Sequence, residues 1–363
     1  MSPEQQNASA PAPEQAAPRT MGKGLSILLT AASIVLIADG IKAAQGVITP
    51  ILAAAFIAMI AILPLTLLQH KLRLPRWLAL VVVLGVTIGG TLGIGYYLGN
   101  SARTLGPELP QYEARLNELI LEALYAAKAR GADLDVDRIM ASLHGWKISD
   151  FAEVIFKALA AVLQNFFFVL MVSAFIIAEA SALPVKMMTA FPNVSKDGAL
   201  TGVADKIRSF LVVITQLNVL QAAINWVACA ILGVPFAFML SFFVFFFNYI
   251  PTIGAIIASG LVIAITLVAK GWGAAIAMTA VQVVSGVVVG SIMQPRMLGS
   301  RLGLSPLVVL LSLVVWGYLL GFAGMFFAVP LTIIMKIVLD STDDLRWLSV
   351  LLGDAAGAKS ARE

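Results

Sequence analysis

The sequence predicts an all-α polytopic membrane protein with about eight transmembrane helices, and three observations lead there. Of its 363 residues, 60% are hydrophobic and only 12% are charged, against about 25% charged residues in a soluble domain. Apolar runs long enough to cross a bilayer recur along the chain, joined by short polar connections. Proline and glycine interrupt the later runs, so the C-terminal segments are expected to be broken or re-entrant. The mean hydropathy is +0.94. A net charge of +4 fits basic cytoplasmic loops and calls for no nucleic acid. One cysteine, Cys229, excludes an intrachain disulfide, and the two histidines, His70 and His144, do not make a metal site. No cofactor is expected.

Residues 1–24 are rich in Ala, Pro and Gln without apolar periodicity and read as a disordered cytoplasmic tail. Residues 25–99 hold three transmembrane helices. The run 25–38 is short enough for a signal core, but no small-x-small cleavage site follows it, so a retained span is the better reading. Asp39 and Lys42 fall in a short connection, as an interfacial pair rather than an intramembrane ion site. The second span covers 46–68, with Pro50 and Pro64 near its ends. His70, Lys71, Arg73 and Arg76 then form a basic loop without an acid, which places this loop and the N-terminus inside. The third span, 78–99, carries Gly89 and Gly93, and Gly95 and Gly99, at spacings that let another helix approach closely.

Residues 100–153 form the expected external amphipathic region. Between Arg103 and Glu153 there are six basic and nine acidic residues, net −3. Leu109, Tyr112, Leu116, Leu119, Ala123 and Ala127 recur at helical spacing. That face either packs on the spans or serves as a lid or subunit contact. Asp133, Asp135 and Asp137 hint at a calcium loop, but Arg138 and His144 stand where such a loop needs Gly and Glu. Asp150 with Glu153 reads as a helix cap.

The transport core is placed at 154–339, followed by a C-terminal tail, 340–363. A fourth span runs over 154–183 with Glu179 near its end, and a cytoplasmic loop over 184–208. In the fifth span, Thr215, Asn218, Gln221 and Asn225 step by three, three and four and so share one helix face. Unpaired amides in lipid are costly, so the stripe is either a polar pathway or a hydrogen-bonded seam between helices. A phenylalanine-rich segment leads to Asn248, Pro251 and Gly254, which break the next helix and free backbone carbonyls. Lys270-Gly271-Trp272-Gly273 reads as an interfacial turn, followed by a span, 274–293, containing Gln282 and Ser285. Pro295 should stop or kink that helix beside Gln294, leaving Arg296 and Arg301 to water or phosphate head groups. The final apolar segment carries helix breaks at Pro306, Gly317, Gly321, Gly324 and Pro330. As one straight helix from Leu304 to Leu339 it would be about 54 Å long, against a hydrocarbon core of about 30 Å. A hairpin around Gly321 resolves the mismatch without having to cross fully. Broken helices survive in lipid only where protein covers them or a wet cavity adjoins them.

The motifs Asn248-Tyr249-Ile250-Pro251-x-Ile253-Gly254, Gln294-Pro295-Arg296-Met297-Leu298-Gly299, Gly303-Leu304-Ser305-Pro306 and Trp316-Gly317-x3-Gly321-x2-Gly324-x3-Ala328-Val329-Pro330 keep a fixed order and spacing. In them the chain resembles the autoinducer-2 exporter family, also called the PerM-like permeases. The front half is similar in layout. The resemblance implies a bacterial inner-membrane, multi-pass permease and homo-oligomer that exports the small polar quorum-sensing signal autoinducer-2. Monovalent cation/proton exchange, also assigned within the family, is the alternative; its coupling carboxylate would be Asp39 or Glu179. A membrane scaffold that docks partners through the external helix is a reading of another class. No nucleotide-binding loop, Ser/His pair or paired carboxylates occur in the spans, so no enzymatic activity is expected. The expected partners are a small-molecule substrate and the lipid bilayer. The expected pathway comprises Thr215, Asn218, Gln221, Asn225, Asn248, Pro251, Gly254, Gln294, Pro295, Arg296 and Arg301.

Overall fold

A computed structural model describes residues 23–133, 135–143, 165–179, 186, 189, 199–298, 304–340 and 346–353. The described residues are helical throughout, joined by turns. Two units are distinguished, Met1–Ala44 and Gln45–Glu363. The first contains α1, Lys23–Ala43. Its apolar side chains, Leu28, Ile34 and Leu36 among them, are exposed, as suits a helix solvated by lipid. Asp39 and Lys42 belong to this helix rather than to a connection.

In the second unit, α2 (Gln45–Lys71), α3 (Arg76–Ala129) and α5 (Phe166–Glu179) form one group. Ala54, Ala58 and Ala61 stack on one face of α2 and are almost wholly buried. Such small side chains let helices approach where no hydrophobic drive separates lipid from protein. Leu65 of α2, Ala79 and Val83 of α3 and Ile177 of α5 complete the cluster. The Arg76 guanidinium donates to the Ala178 carbonyl at 3.1 Å and the Ile177 carbonyl at 3.5 Å, satisfying orphan groups at the C-terminus of α5.

The third span and the external helix are one element. α3 has 54 residues, about 81 Å at the standard rise, and only Arg76–Ser101 qualifies as its membrane span. Pro107 and Pro110 lie inside it. They are less than one turn apart, so the lost ladder bonds are confined to one place. The amphipathic face packs on the spans: Leu109 joins the main core cluster with Tyr112 against it, and Leu116 and Leu119 meet Leu267 and Ala275. A short α4, Val136–Leu143, follows. The cap expected at Asp150 and Glu153 and half of the fourth span, 154–164 and 180–183, lie outside the described residues.

The remaining chain is built on α6, Ala199–Leu232. Its C-terminal half packs on a broken hairpin made by α7 (Ala237–Phe247) and the first arm of α8 (Ile253–Ser285). α7 has 11 residues, about 16 Å, too short to cross a bilayer. Gly233, with φ 64, turns the chain into it. At the far end of the returning arm, Lys270 comes back beside Gly233, so both ends of this hairpin lie at one end of α6. Gly271, with φ 78, then kinks α8 where the turn was expected.

The N-terminal half of α6 packs on α10, Pro306–Asp340. α10 folds back at Gly321, whose φ of 65 and ψ of −149 leave the helix. The Trp316 indole N–H donates to the Thr332 hydroxyl at 3.0 Å, and Val308 shares a cluster with Val329 and Ile333. In a straight helix Trp316 and Thr332 would stand about 24 Å apart. The first arm, up to Leu320, is about 22 Å long, short of the hydrocarbon core. Ser305 opens α10 by accepting from the Val308 N–H at 3.3 Å. Pro306 takes the first helical position, where no N–H is needed. The Ser305 N–H bonds the Leu352 carbonyl of α11, Arg346–Leu352.

By length and composition four described helices qualify as spans, or up to five if a bent pair is counted as one; the expected count of about eight is not established by them. Several expected helix breaks take another form. Pro330 lies buried inside α10 and the helix runs past it, as lipid-embedded helices allow when neighbours cover the freed carbonyl. Gly317 and Gly324 keep helical geometry and serve close approach instead: a Cβ on Gly324 would overlap the Trp316 carbonyl, and one on Gly317 would press on Met325. Pro295 does not stop its helix. The chain loosens into a π-helix over Gly286–Met293 and resumes as α9, Gln294–Leu298. The wide turn is a physical answer to proline, whose ring would strike the carbonyl four residues back in α-geometry.

Candidate functional site

The two hairpins approach α6 from opposite ends and meet through their tips. Phe246, Phe247 and Tyr249, at the α7 tip, contact Phe322 and Phe326, just past Gly321. The Tyr249 and Phe326 rings are 4.6 Å apart and the Phe246 and Phe326 rings 5.1 Å. At the first tip Gly254 is required, because a Cβ there would overlap the Phe247 carbonyl. The carbonyls of Phe246, Phe247, Ile250, Pro251 and Thr252 each accept a local backbone hydrogen bond. The turn is therefore closed by its own peptide groups.

Beside the tips, the polar stripe of α6 faces α7 and α8. Asn225, 1% exposed, donates from Nδ2 to Ser241 Oγ at 3.0 Å and accepts at Oδ1 from Gln282 Nε2 at 3.1 Å. Gln221 Nε2 donates to Ser285 Oγ at 2.8 Å, and Ser285 donates to the Gln282 carbonyl at 3.3 Å. Ser241 donates to the Ala237 carbonyl at 2.7 Å. This part of the stripe is a seam, and its lattice holds three helices together in an apolar core. One turn away the accounting changes. Asn218 and Gln221 are 4% and 8% exposed, yet Asn218 Nδ2 and Gln221 Oε1 have no protein partner. They stand three residues apart on one face, one a donor and the other an acceptor. A hydroxyl can satisfy both, donating to Gln221 Oε1 while accepting from Asn218. Left empty, each buried group costs about 1–3 kcal/mol.

Thr215 ends the stripe. Its hydroxyl lies 2.8 Å from the Tyr249 hydroxyl and 2.6 Å from the Leu211 carbonyl. Thr215 and Tyr249 also line a cavity of about 890 Å3 among α2, α3, α6, α7 and α10. The cavity walls are almost entirely aliphatic and aromatic; Thr49, Thr87, Thr215, Tyr249 and Lys71 supply the polar groups.

The expected pathway residues thus fall into separate places. Thr215, Asn218, Gln221 and Asn225 form one stripe, with Thr215 alone reaching the cavity. Asn248 and Pro251 are half-buried at the α7 tip and Gly254 is buried there. Gln294 is half-buried, while Pro295 and Arg296 are exposed on α9. Arg301 lies outside the described residues. Neither the α7 tip at Asn248–Gly254 nor Gln294–Arg296 lines the cavity, apart from Tyr249. Sequence reasoning missed Ser241 as a partner of Asn225, and the Tyr249 hydroxyl opposite Thr215. Ser241 is one hydroxyl in a phenylalanine-rich run, and only its burial marks it out. Glu179 is paired with Lys186 at the surface.

Comparison with known proteins adds an independent line. The family model for AI-2E family transporters matches residues 25–344. The AI-2 transport protein TqsA of Escherichia coli is 34% identical over 336 residues, covering 91% of this chain and 96% of that protein. YhhT of Escherichia coli, named only as a candidate transport protein, is 30% identical over 335 residues, covering 91% and 95%. YrrI of Bacillus subtilis, named in the same way, is 25% identical over 312 residues, covering 80% and 85%.

Proposed function

The chain belongs to the AI-2E transporter family, and from that premise we propose that it exports a small neutral polyol-like solute, autoinducer-2, across the bacterial inner membrane. The observation that carries this reading is the unpaired Asn218 Nδ2 and Gln221 Oε1, two of the four buried side-chain atoms without a hydrogen-bond partner among the described residues and the two that share one helix face. A polyol needs donors and acceptors without fixed charge, and this pair supplies one of each. In this reading the solute leaves cytoplasmic water near Arg296 and Arg301 and exchanges hydration for Asn218 and Gln221. Asn248, Pro251, Gly254 and Gln294 flank the route, and the solute departs beneath the outer part of α3. The aromatic contacts between the hairpin tips, Tyr249 on Phe326 above all, form the barrier that must part during transport.

The same proposal has a cytoplasmic N-terminus, about eight crossings and a homo-oligomeric assembly. Gly85, Gly89 and Gly93 of α3 have nothing within reach of an added Cβ, which leaves room for a neighbouring helix. The cation-exchange alternative calls on a buried carboxylate. Among the described residues the buried polar side chains are Ser, Thr, Asn and Gln.

Efflux of labelled autoinducer-2 from proteoliposomes tests the reading. Replacing Asn218 by leucine removes one hydrogen bond of about 1 kcal/mol to the solute and leaves the Gln221–Ser285 bond of the seam in place. The expected result is about a fivefold loss of flux with normal folding. Wild-type flux in that variant rules out Asn218 as the solute's contact.

A further inference from the structure

The cavity of about 890 Å3 differs in character from the Asn218–Gln221 pair. It follows α2 from Thr49 to Lys71, about 33 Å along the helix, close to the thickness of the hydrocarbon core. Its hydroxyl-bearing residues, Thr49, Thr87, Thr215 and Tyr249, sit away from the Lys71 end; Thr87 is about 16 Å along α3 from Arg76. The half nearer Lys71 is walled by Pro64, Leu67 and Leu68 of α2, Leu72 just past its end, and Val82 and Val83 of α3. Among the described residues that line this half, Lys71 alone carries a hydrogen-bonding side chain. Lys71 lines this end and is exposed, Arg73 is exposed two residues further along the chain, and no acid lies between His70 and Arg76. Arg76 is already engaged with the end of α5.

We propose that this half of the groove is a binding site for an anionic phospholipid, with one acyl chain along α2 and the head group between Lys71 and Arg73. The match rests on polarity and charge. An acyl chain asks nothing of Leu67, Leu68 and Val82 beyond apolar contact, and the groove from Lys71 to its middle has the depth of one leaflet. The two cations lie where a phosphate emerges and form charge-assisted bonds to it. The lipid's tail would end beside Tyr249 and Phe326, so leaflet composition would bear on the hairpin tips. This inference is independent of the identity of the exported solute.

The test uses the full chain in mild detergent with equal amounts of phosphatidylglycerol and phosphatidylcholine of the same acyl chains. Retained lipids are counted by native mass spectrometry. At about 1 kcal/mol per cation near the head groups, the expected preference for phosphatidylglycerol is about thirtyfold. Lys71→Gln combined with Arg73→Asn should bring the two lipids to parity; asparagine suits the φ of 52 at position 73. Val82→Trp, and separately Leu67→Trp, fill the groove from exposed positions and should lower retention of both lipids while the charges stay. Circular dichroism and elution volume verify folding of each variant. Equal retention of both lipids by the wild type overturns the site. So does a preference that survives loss of both cations, or unchanged retention in both tryptophan variants.

Discussion

Asn225 and Asn218 lie two turns apart on one stripe and have opposite energetic standing. Removing the Asn225 amide leaves Gln282 Nε2 without its acceptor and Ser241 without its donor in a dry core. Asn225→Ala should therefore cost about 2–4 kcal/mol, read as a lower thermal midpoint. Asn218→Leu removes a donor that has no partner, so stability should hold or rise while autoinducer-2 efflux falls. Equal destabilisation by the two would mean that Asn218 has a structural partner. Outside the spans, burial first and the Glu108 carboxylate second raise the Tyr112 pKa above its usual 10.0. Its folded-state value exceeds the unfolded one, so its contribution is complete below pH 10 and fades as pH climbs through the folded value. Alkaline absorbance titrations of the wild type and Glu108→Gln should differ by one tyrosine, which ionises earlier in the variant. The stripe itself was legible from its spacing of three, three and four. Which part is sealed and which is open was not, because the sealing partners lie 16, 57 and 64 residues away.

At the scale of elements, both broken hairpins depend on one glycine close to a carbonyl. Gly254 meets Phe247 and Gly324 meets Trp316, seven and eight positions back. Gly254→Ala and Gly324→Ala should each displace a hairpin arm and lower stability by several kcal/mol, about as overpacking a core does. Gly290→Ala, with nothing within reach of the new methyl, is the control and should stay within about 1 kcal/mol of wild type; thermal melts of the three decide it. The glycine cluster around Gly321 announced the fold-back, since its segment exceeds one bilayer and falls short of two. The prolines misled. Pro295 read as a stop or kink and Pro330 as a break because the rule for proline assumes a helix in water, with freed carbonyls ready to hydrate. In the apolar core the chain keeps its backbone bonds, widening into π-geometry before Pro295 and burying Pro330. The continuity of α3 was hidden by a change from uniform to amphipathic patterning that marks a change of solvent and not of element.

For the whole molecule, the two hairpins give α6 two differently packed ends. Gly233 and Lys270 mark one end of the bundle; Leu298, Leu304, Val308 and Ile333 gather around the other. If the Gly321 fold-back is a re-entrant hairpin, Leu307 and Asp340 belong to one membrane face and Trp272 to the opposite one. Cysteine labelling reads this directly, because the only native cysteine, Cys229, is buried and can be replaced by alanine. Single cysteines at Leu307, Asp340 and Trp272, all exposed, are treated with a membrane-impermeant maleimide. In inverted vesicles Leu307→Cys and Asp340→Cys should react together and Trp272→Cys should stay protected; right-side-out vesicles should reverse the pattern. A straight α10 would put its ends about 50 Å apart, on opposite faces, so labelling of Leu307→Cys and Asp340→Cys from different sides would exclude the hairpin. Labelling from the same side leaves two half-crossing elements meeting at their aromatic tips, an arrangement in which a small displacement of either hairpin opens the route past Asn218 and Gln221.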